Sequence, residues 1–132
     1  MIHNASHSRS SATRVLVVDD DADYRLAMRA VLEKQGYEVH EAENGQLALD
    51  VCRSITPSII LLDVVMPVMS GAEFLNAKQA DSRITFIPVV VVSTSDLRIG
   101  ARVVRQLRKP VDPDVLMSII RLVVGASRRG TT

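Results

Sequence analysis

Apolar residues along the chain form short runs that predict the strands of a sheet. Three runs are apolar at nearly every position: RVLVV (14–18), SIILL (58–62) and PVVVV (88–92). Such runs are typical of strands that helices cover on both faces, as in a parallel sheet. Two further strands are predicted from YEVHEA (37–42), whose polar and apolar residues alternate, and from the weaker VVRQL (103–107).

Between these strands, apolar residues recur every three or four positions, which predicts helices. The first helix ends near Gly36, the second follows the Asn44–Gly45 turn, and the third covers 71–80. The last helix has an apolar face made of Val115, Leu116, Ile119, Ile120 and Val123. Repeated alternation of strand and helix predicts an α/β fold with right-handed crossovers.

Composition narrows the class of protein. The 132 residues are 47% hydrophobic and 23% charged, with a net charge of +1, so nothing favours nucleic acid or an anionic membrane as a partner. The single cysteine, Cys52, excludes an internal disulfide. The N-terminus lacks the apolar centre of a signal peptide, so we expect a cytoplasmic location.

Polar stretches at both ends predict the domain limits. Residues 1–13 are rich in Ser, His and Asn and are expected to be a disordered lead, and 125–132 are expected to be a tail. One domain is therefore predicted over 14–124. The remaining residues leave no room for a DNA-binding or catalytic output domain, so the domain is expected to stand alone.

Polar side chains follow four of the predicted strands where each strand ends. Asp19, Asp20 and Asp21 follow the first strand, and Asp63 follows the third. The fourth ends in Ser93, Thr94 and Ser95, and the fifth in Lys109–Pro110. Ligands of open parallel sheets bind beyond these carboxyl ends, so we expect the side chains to meet at one edge.

Each of these polar groups has an ordinary structural explanation, but together they predict a phosphoryl-transfer site. Acidic and hydroxyl residues cap helices, and a lysine before proline is usually a solvated loop residue. Clustered carboxylates, however, repel one another unless a cation lies between them, and Mg²⁺ binds one or two carboxylates together with phosphate oxygens. A neighbouring aspartate can act as nucleophile, while a lysine and a hydroxyl hold the phosphoryl oxygens.

The chain resembles the receiver domains of two-component response regulators over residues 14–124. The matching segments are VLVVDDD (15–21), ENG (43–45), LLDVVMPVMSG (61–71), PVVVVSTS (88–95) and LRKPVD (107–112). The resemblance implies a flavodoxin-like, doubly wound sheet of five parallel strands in the order 2-1-3-4-5. It also implies a signalling domain, not an enzyme, that catalyses its own phosphorylation from a phosphohistidine on a histidine kinase or phosphotransfer protein.

The resemblance also assigns roles to residues. Asp63 would be the phospho-acceptor. Asp19 and Asp20 would be the acidic pair that holds Mg²⁺, with Asp63 and the backbone carbonyl of Val65 completing the ligands. Ser93 would contact the phosphoryl group, and Lys109 would be the receiver lysine. Asp21 is expected to cap the first helix.

Two features depart from the receiver pattern. Only ten residues, Ser93 to Arg102, join the fourth and fifth strands, so the fourth crossover helix should be very short or absent. In receivers, an aromatic residue three positions before the lysine, the switch aromatic, moves between buried and exposed rotamers when the domain is phosphorylated. This chain has Gln106 there, so rotation of an aromatic ring cannot report phosphorylation.

Other functions stay open from the sequence. The domain could be a final output that docks on a downstream protein, or a phosphate shuttle or sink in a phosphorelay. It could also be a receiver fold that binds partners without phosphorylation. A phosphoaspartate hydrolase would typically carry a second aspartate two residues after the nucleophile, where this chain has Val65.

Overall fold

The structure, a computed structural model, describes residues 12–96, 98–100 and 102–130. Five strands and four helices cover most of them. The strands are β1 (Arg14–Val18), β2 (Glu38–Ala42), β3 (Ile59–Leu62), β4 (Val89–Ser93) and β5 (Arg105–Arg108). The helices are α1 (Ala22–Lys34), α2 (Gly45–Ile55), α3 (Gly71–Gln79) and α4 (Pro113–Gly130).

The five strands form one parallel sheet in the order β2-β1-β3-β4-β5. The predicted fold class and strand order are therefore confirmed. Val18 of β1 pairs with Leu62 of β3, which brings the ends of these two central strands level with each other. Among the helices of the described residues, none has the length and apolar character needed to cross a membrane.

Side chains alternate between the two faces of the sheet, and each face has its own core. Val15 and Val17 lie in the core that α1 and α4 cover, whereas Leu16 and Val18 lie in the core that α2 and α3 cover. This alternation follows from the two-residue period of a strand. It explains why β1, β3 and β4 are apolar throughout.

The connection from β4 to β5, which we call the crossover (residues 94–104), contains no helix among its described residues. This confirms the prediction of a very short or absent helix. Ile99 and Val103 pack directly against the core on the α2/α3 face. Two apolar side chains of an irregular segment thus cover a part of the sheet that a helix would otherwise cover.

Some element limits differ from those predicted. β5 begins at Arg105, later than the predicted residue 103, because residues 102–104 form a turn before the strand. In that turn the Val104 N–H donates to the Val89 carbonyl (2.8 Å). α4 continues to Gly130, beyond residue 124. Most of the predicted lead (1–13) lies outside the described residues, so the domain limits stay a prediction.

Candidate functional site

Backbone hydrogen bonds continue past the strand ends and fix the residues that follow them. The Asp19 N–H donates to the Ala42 carbonyl (3.1 Å), and the Asp63 N–H donates to the Val18 carbonyl (2.9 Å). On the other side of β3, the Lys109 N–H donates to the Ser93 carbonyl (2.9 Å). The backbones that carry Asp19, Asp63 and Lys109 are therefore held by the sheet itself.

Three carboxylates meet at this edge of the sheet. Asp19, Asp20 and Asp63 each place one oxygen within 4.8 Å of the others. Asp19 is 1% exposed and Asp63 is 9% exposed, whereas Asp20 is exposed. Two buried carboxylates and one exposed carboxylate form a site that a divalent cation can reach from the solvent.

Lys109 lies inside this acidic group. Its Nζ donates to Oδ2 of Asp19 (2.6 Å), and the pair is largely buried. Burial raises the pKa of the Asp19 carboxyl above its ordinary value, and the hydrogen bonds from Lys109 and the Asp21 N–H oppose that rise. The ammonium group thus partly offsets the repulsion among the three carboxylates.

Tyr24 is part of the site but was not predicted from the sequence. The Nζ of Lys109 lies 3.9 Å from the centre of the Tyr24 ring, which is a cation–π contact. Burial and the charges of Asp19 and Asp63 raise the pKa of Tyr24 to about 12. A tyrosine in the first turn of an amphipathic helix carries no sequence signal for this role, because the contact depends on where the start of α1 lies relative to the loop that carries Lys109.

Asp21 has a different role from the two aspartates that precede it. Its Oδ1 accepts hydrogen bonds from the N–H groups of Asp23 (3.0 Å) and Tyr24 (3.2 Å). These are bonds that an N-cap residue makes to the first turn of its helix. The predicted capping role of Asp21 is confirmed.

Ser93, the last residue of β4, is 1% exposed. Its Oγ accepts a hydrogen bond from the Ser95 N–H (3.1 Å), which leaves the hydroxyl proton free to be donated elsewhere. β4 neighbours β3, so Ser93 at the end of one strand and Asp63 directly after the other lie at the same edge of the sheet. The hydroxyl is therefore held at the start of the crossover by the Ser95 N–H.

The loop after Asp63 is held by close backbone approaches. The Val65 N–H donates to Oδ1 of Asp63 (3.3 Å), and the Gly71 N–H donates to the Val64 carbonyl (3.0 Å). A Cβ on Gly71 would lie 2.5 Å from the Cα of Val64, so only glycine fits. Gly45 approaches Met69 in the same way, which explains why an Asn44–Gly45 pair far away in sequence supports this loop.

The structure thus brings together the predicted residues Asp19, Asp20, Asp63 and Lys109, with Ser93 on the adjacent strand. Val65, two residues after Asp63, is 61% exposed. Gln106 occupies the position of the switch aromatic, and its Oε1 accepts a hydrogen bond from the Ile99 N–H (3.1 Å) in the crossover. The Lys109–Pro110 peptide bond is cis.

Comparison with known proteins agrees with this geometry. The sequence model of the response regulator receiver domain matches residues 15–121. Protein PilH of Pseudomonas aeruginosa is 35% identical over 119 residues, which cover 84% of this chain and 97% of PilH. Sporulation initiation phosphotransferase F of Bacillus subtilis is 31% identical over 114 residues, covering 82% of this chain and 90% of that protein.

A solved structure gives the same result at the level of the fold. Chemotaxis protein CheY4 of Vibrio cholerae superposes with a TM-score of 0.77 at 30% identity, covering 86% of this chain and 99% of that chain. Because the family match spans most of the chain and includes every strand end described above, this chain belongs to the response regulator receiver domain family of two-component signalling.

Proposed function

We propose that Asp63 accepts a phosphoryl group from a phosphohistidine on a histidine kinase or phosphotransfer protein in the cytoplasm. The observation that carries the proposal is the position of Asp63, which lies within 4.8 Å of two further carboxylates and follows the strand beside Ser93. A carboxylate oxygen of Asp63 forms a bond to phosphorus, and the phosphorus–nitrogen bond of the donor breaks. The imidazole leaves with the electron pair and takes up a proton from solvent.

The residues that would hold Mg²⁺ are Asp19, Asp20 and Asp63, with the Val65 carbonyl as an additional ligand. Three carboxylate oxygens in one small volume fit this hard cation. When bound, Mg²⁺ offsets the negative charge of the phosphoryl oxygens and of the carboxylates around them.

Lys109 and Ser93 complete the proposed site through charge and hydrogen bonding. The Lys109 ammonium already donates to Asp19 and has further protons for a phosphoryl oxygen. The Ser93 hydroxyl accepts from Ser95 and can donate its own proton to another oxygen. Positioning and charge compensation are what phosphoryl transfer requires from a protein. The domain promotes its own phosphorylation and is a signalling module, not an enzyme acting on other substrates.

The experiment that tests this function is phosphorylation with acetyl phosphate and Mg²⁺, followed by measurement of intact mass. We expect one added phosphoryl group in the wild type, none in Asp63→Asn, and none when Mg²⁺ is removed. Asp21→Asn is the matched control, because asparagine retains the cap and leaves the carboxylate cluster unchanged. Phosphorylation that persists in Asp63→Asn would contradict the assignment.

The proposed output is a change in the crossover. Side chains outside the crossover tie it down: Gln106 accepts from Ile99, Arg108 pairs with Asp96, and Asn76 of α3 accepts from Arg102. A phosphoryl group on Asp63 would draw the Ser93 hydroxyl toward it, because it adds negative charge and acceptor oxygens. Ser93 directly precedes the crossover, so this movement would reshape residues 94–102 and the surface that a partner protein contacts.

A phosphate shuttle is the second candidate function. The observation that favours it is the likeness to sporulation initiation phosphotransferase F over 90% of that protein. Phosphotransfer profiling separates the two functions. A shuttle passes the phosphoryl group on to a second histidine protein at a rate similar to its own phosphorylation, whereas an output domain retains it and binds a target.

A further inference from the structure

A surface cavity of about 380 Å³ lies between α3 and the crossover, and it is not part of the phosphorylation site. Its lining residues are Leu75, Lys78, Gln79, Thr85 and Arg102. Three of them come from the second half of α3, whereas the loop that follows Asp63 leads into the start of this helix. Cavities of this volume accommodate small organic molecules.

Lys78 is a buried cation that has no acidic partner in the described part of the chain. The residue is 6% exposed, and its Nζ donates to the Thr85 carbonyl (2.8 Å). No carboxylate of the described part of the chain forms an ion pair with it. Burial lowers its pKa, and the nearby Cys52 is a neutral thiol because burial raises its pKa to about 11. A buried ammonium with donors to spare is costly unless an anion contacts it.

Arg102 supplies a second cation at the same cavity. It is exposed, and its guanidinium donates to the side-chain oxygen of Asn76, which is a neutral group. The acidic residue of the loop after α3, Asp81, is already paired with Arg53 and Arg83. Lys78 and Arg102 therefore border one cavity whose described lining residues include no carboxylate.

We propose that this cavity binds an oxyanion, the phosphate or carboxylate group of a small molecule, between Lys78 and Arg102. Arginine presents a planar fork of donors that matches both groups, and the lysine adds a compact positive charge. Gln79 and Thr85 add polar lining, and Leu75 adds an apolar wall that suits the carbon skeleton of such a ligand. If the only role of Lys78 were to hold the Thr85 carbonyl, a neutral donor would suffice, and no second cation would be needed in the lining of the cavity.

The test is an amide NMR titration of metal-free protein with inorganic phosphate and, separately, with succinate. Without metal, the acidic cluster repels both anions, so binding there does not compete. We expect saturable shifts at residues 75–79, 85 and 102 with at least one of the two anions. Binding of phosphate alone assigns a phosphate ester, and binding of succinate alone assigns a carboxylate.

Variants distinguish binding in this cavity from unspecific attraction of an anion to any exposed arginine. Arg102→Gln, a change at an exposed position, is expected to weaken binding about tenfold, because a charge-assisted hydrogen bond is lost. Lys78→Gln retains a donor for Thr85 and should weaken binding similarly. Arg121→Gln, at an exposed arginine on α4, is the matched control and should bind like the wild type.

The titration uses neither metal nor a phosphoryl donor, so this proposal can fail or succeed independently of phosphorylation. Shifts that do not saturate with either anion would overturn it. Saturable shifts that Arg102→Gln leaves unchanged would overturn it as well, and this arm stays decisive if Lys78→Gln does not fold.

Discussion

Asp20 and Asp21 are neighbours in the sequence, but their carboxylates have different surroundings. Asp20 is exposed and lies in the carboxylate cluster, whereas Asp21 bonds the first N–H groups of α1. The chain turns from strand to helix between them, so the two side chains leave in different directions. Asp20 is therefore available to bind a cation, whereas Asp21 stabilises the start of α1.

This difference predicts opposite effects of two alanine substitutions. Asp20→Ala should abolish the stabilisation that Mg²⁺ gives, since a ligand stabilises only the state that binds it, and should cost no stability without the metal. Asp21→Ala should cost about 1 kcal/mol through loss of the cap while retaining the Mg²⁺ effect. Urea unfolding with and without Mg²⁺ measures both. An Mg²⁺ effect retained in Asp20→Ala would refute its role as a ligand.

Val65 leads to a prediction about the lifetime of the phosphorylated protein. Val65 lies two residues after Asp63, the proposed acceptor, and its N–H donates to the Asp63 carboxylate, so its side chain stands close to the path by which water would attack a phosphoryl group there. The valine side chain has no polar atom that could orient water, so we expect a phosphoform that lasts minutes to hours. Val65→Asn should shorten this lifetime several-fold, as followed by intact mass after removal of acetyl phosphate.

The same loop offers a control for this substitution. Val68 is 82% exposed and has a φ of 68°, a conformation that asparagine tolerates better than valine. Val68→Asn should therefore leave the phosphoform lifetime unchanged. If both variants lose the phosphoryl group equally fast, the effect belongs to the loop as a whole and not to the side chain at position 65.

At the scale of elements, the crossover is the part of the fold that differs most from a regular α/β unit. It follows Ser93 directly, packs Ile99 and Val103 on the core, and is tied down by side chains from β5 and α3. A segment that side-chain contacts hold, without a helix or strand among its described residues, opens locally at low free energy. The side chains that tie it down should then govern its stability.

Gln106 provides a test of this view. Gln106→Leu removes the acceptor for the Ile99 N–H, whereas Gln106→Glu retains an oxygen in that place. Since a net hydrogen bond is worth roughly 1 kcal/mol, we expect amide exchange at Ile99 to accelerate about fivefold in Gln106→Leu. Exchange in Gln106→Glu should stay close to that of the wild type. Equal exchange in all three proteins would show that Gln106 does not hold the crossover.

The sequence predicts some elements better than others, for physical reasons. β1, β3 and β4 are apolar on both faces, so burial alone identifies them. β5 contains Arg105 and Arg108 and pairs with one strand, β4. Because its sequence is not apolar throughout, the turn before it determines where the strand begins. The apolar pattern of α4 fades after Val124, yet the helix continues to Gly130, because a helix does not need an apolar face to extend from one that is already packed.

The candidate site also has features that the sequence predicts and features that it does not. The strand ends that carry Asp19, Asp63, Ser93 and Lys109 follow from the run of apolar residues and from the rule that ligands bind beyond such ends. The contacts of Lys109 with Asp19 and Tyr24 do not follow, because they depend on side-chain rotamers and on the packing of α1. Sequence thus predicts which residues meet, and packing decides how they touch.

At the scale of the whole molecule, both edges of the sheet carry charge. β2 presents Glu38 and Glu41, which pair with arginines from β1 and α1, and β5 exposes Arg105 and Arg108. Charged side chains on edge strands oppose pairing with a strand from another molecule. In a two-fold dimer through β5, the arginines of both copies would lie near one another.

This charge pattern, and the absence of a helix from the described residues of the crossover, predict that phosphorylation does not drive strong dimerisation through the face formed by β4, β5 and α4. Light scattering at micromolar concentration should give the monomer mass both without ligand and with beryllofluoride and Mg²⁺. Replacing Arg105 and Arg108 together by valine removes the edge charge and should increase self-association, which shows that the measurement can detect it. A dimer that forms only with beryllofluoride, and whose amide protection maps to β5 and α4, would contradict the prediction. It would mean that the irregular crossover becomes ordered enough on activation to replace the helix in a dimer interface.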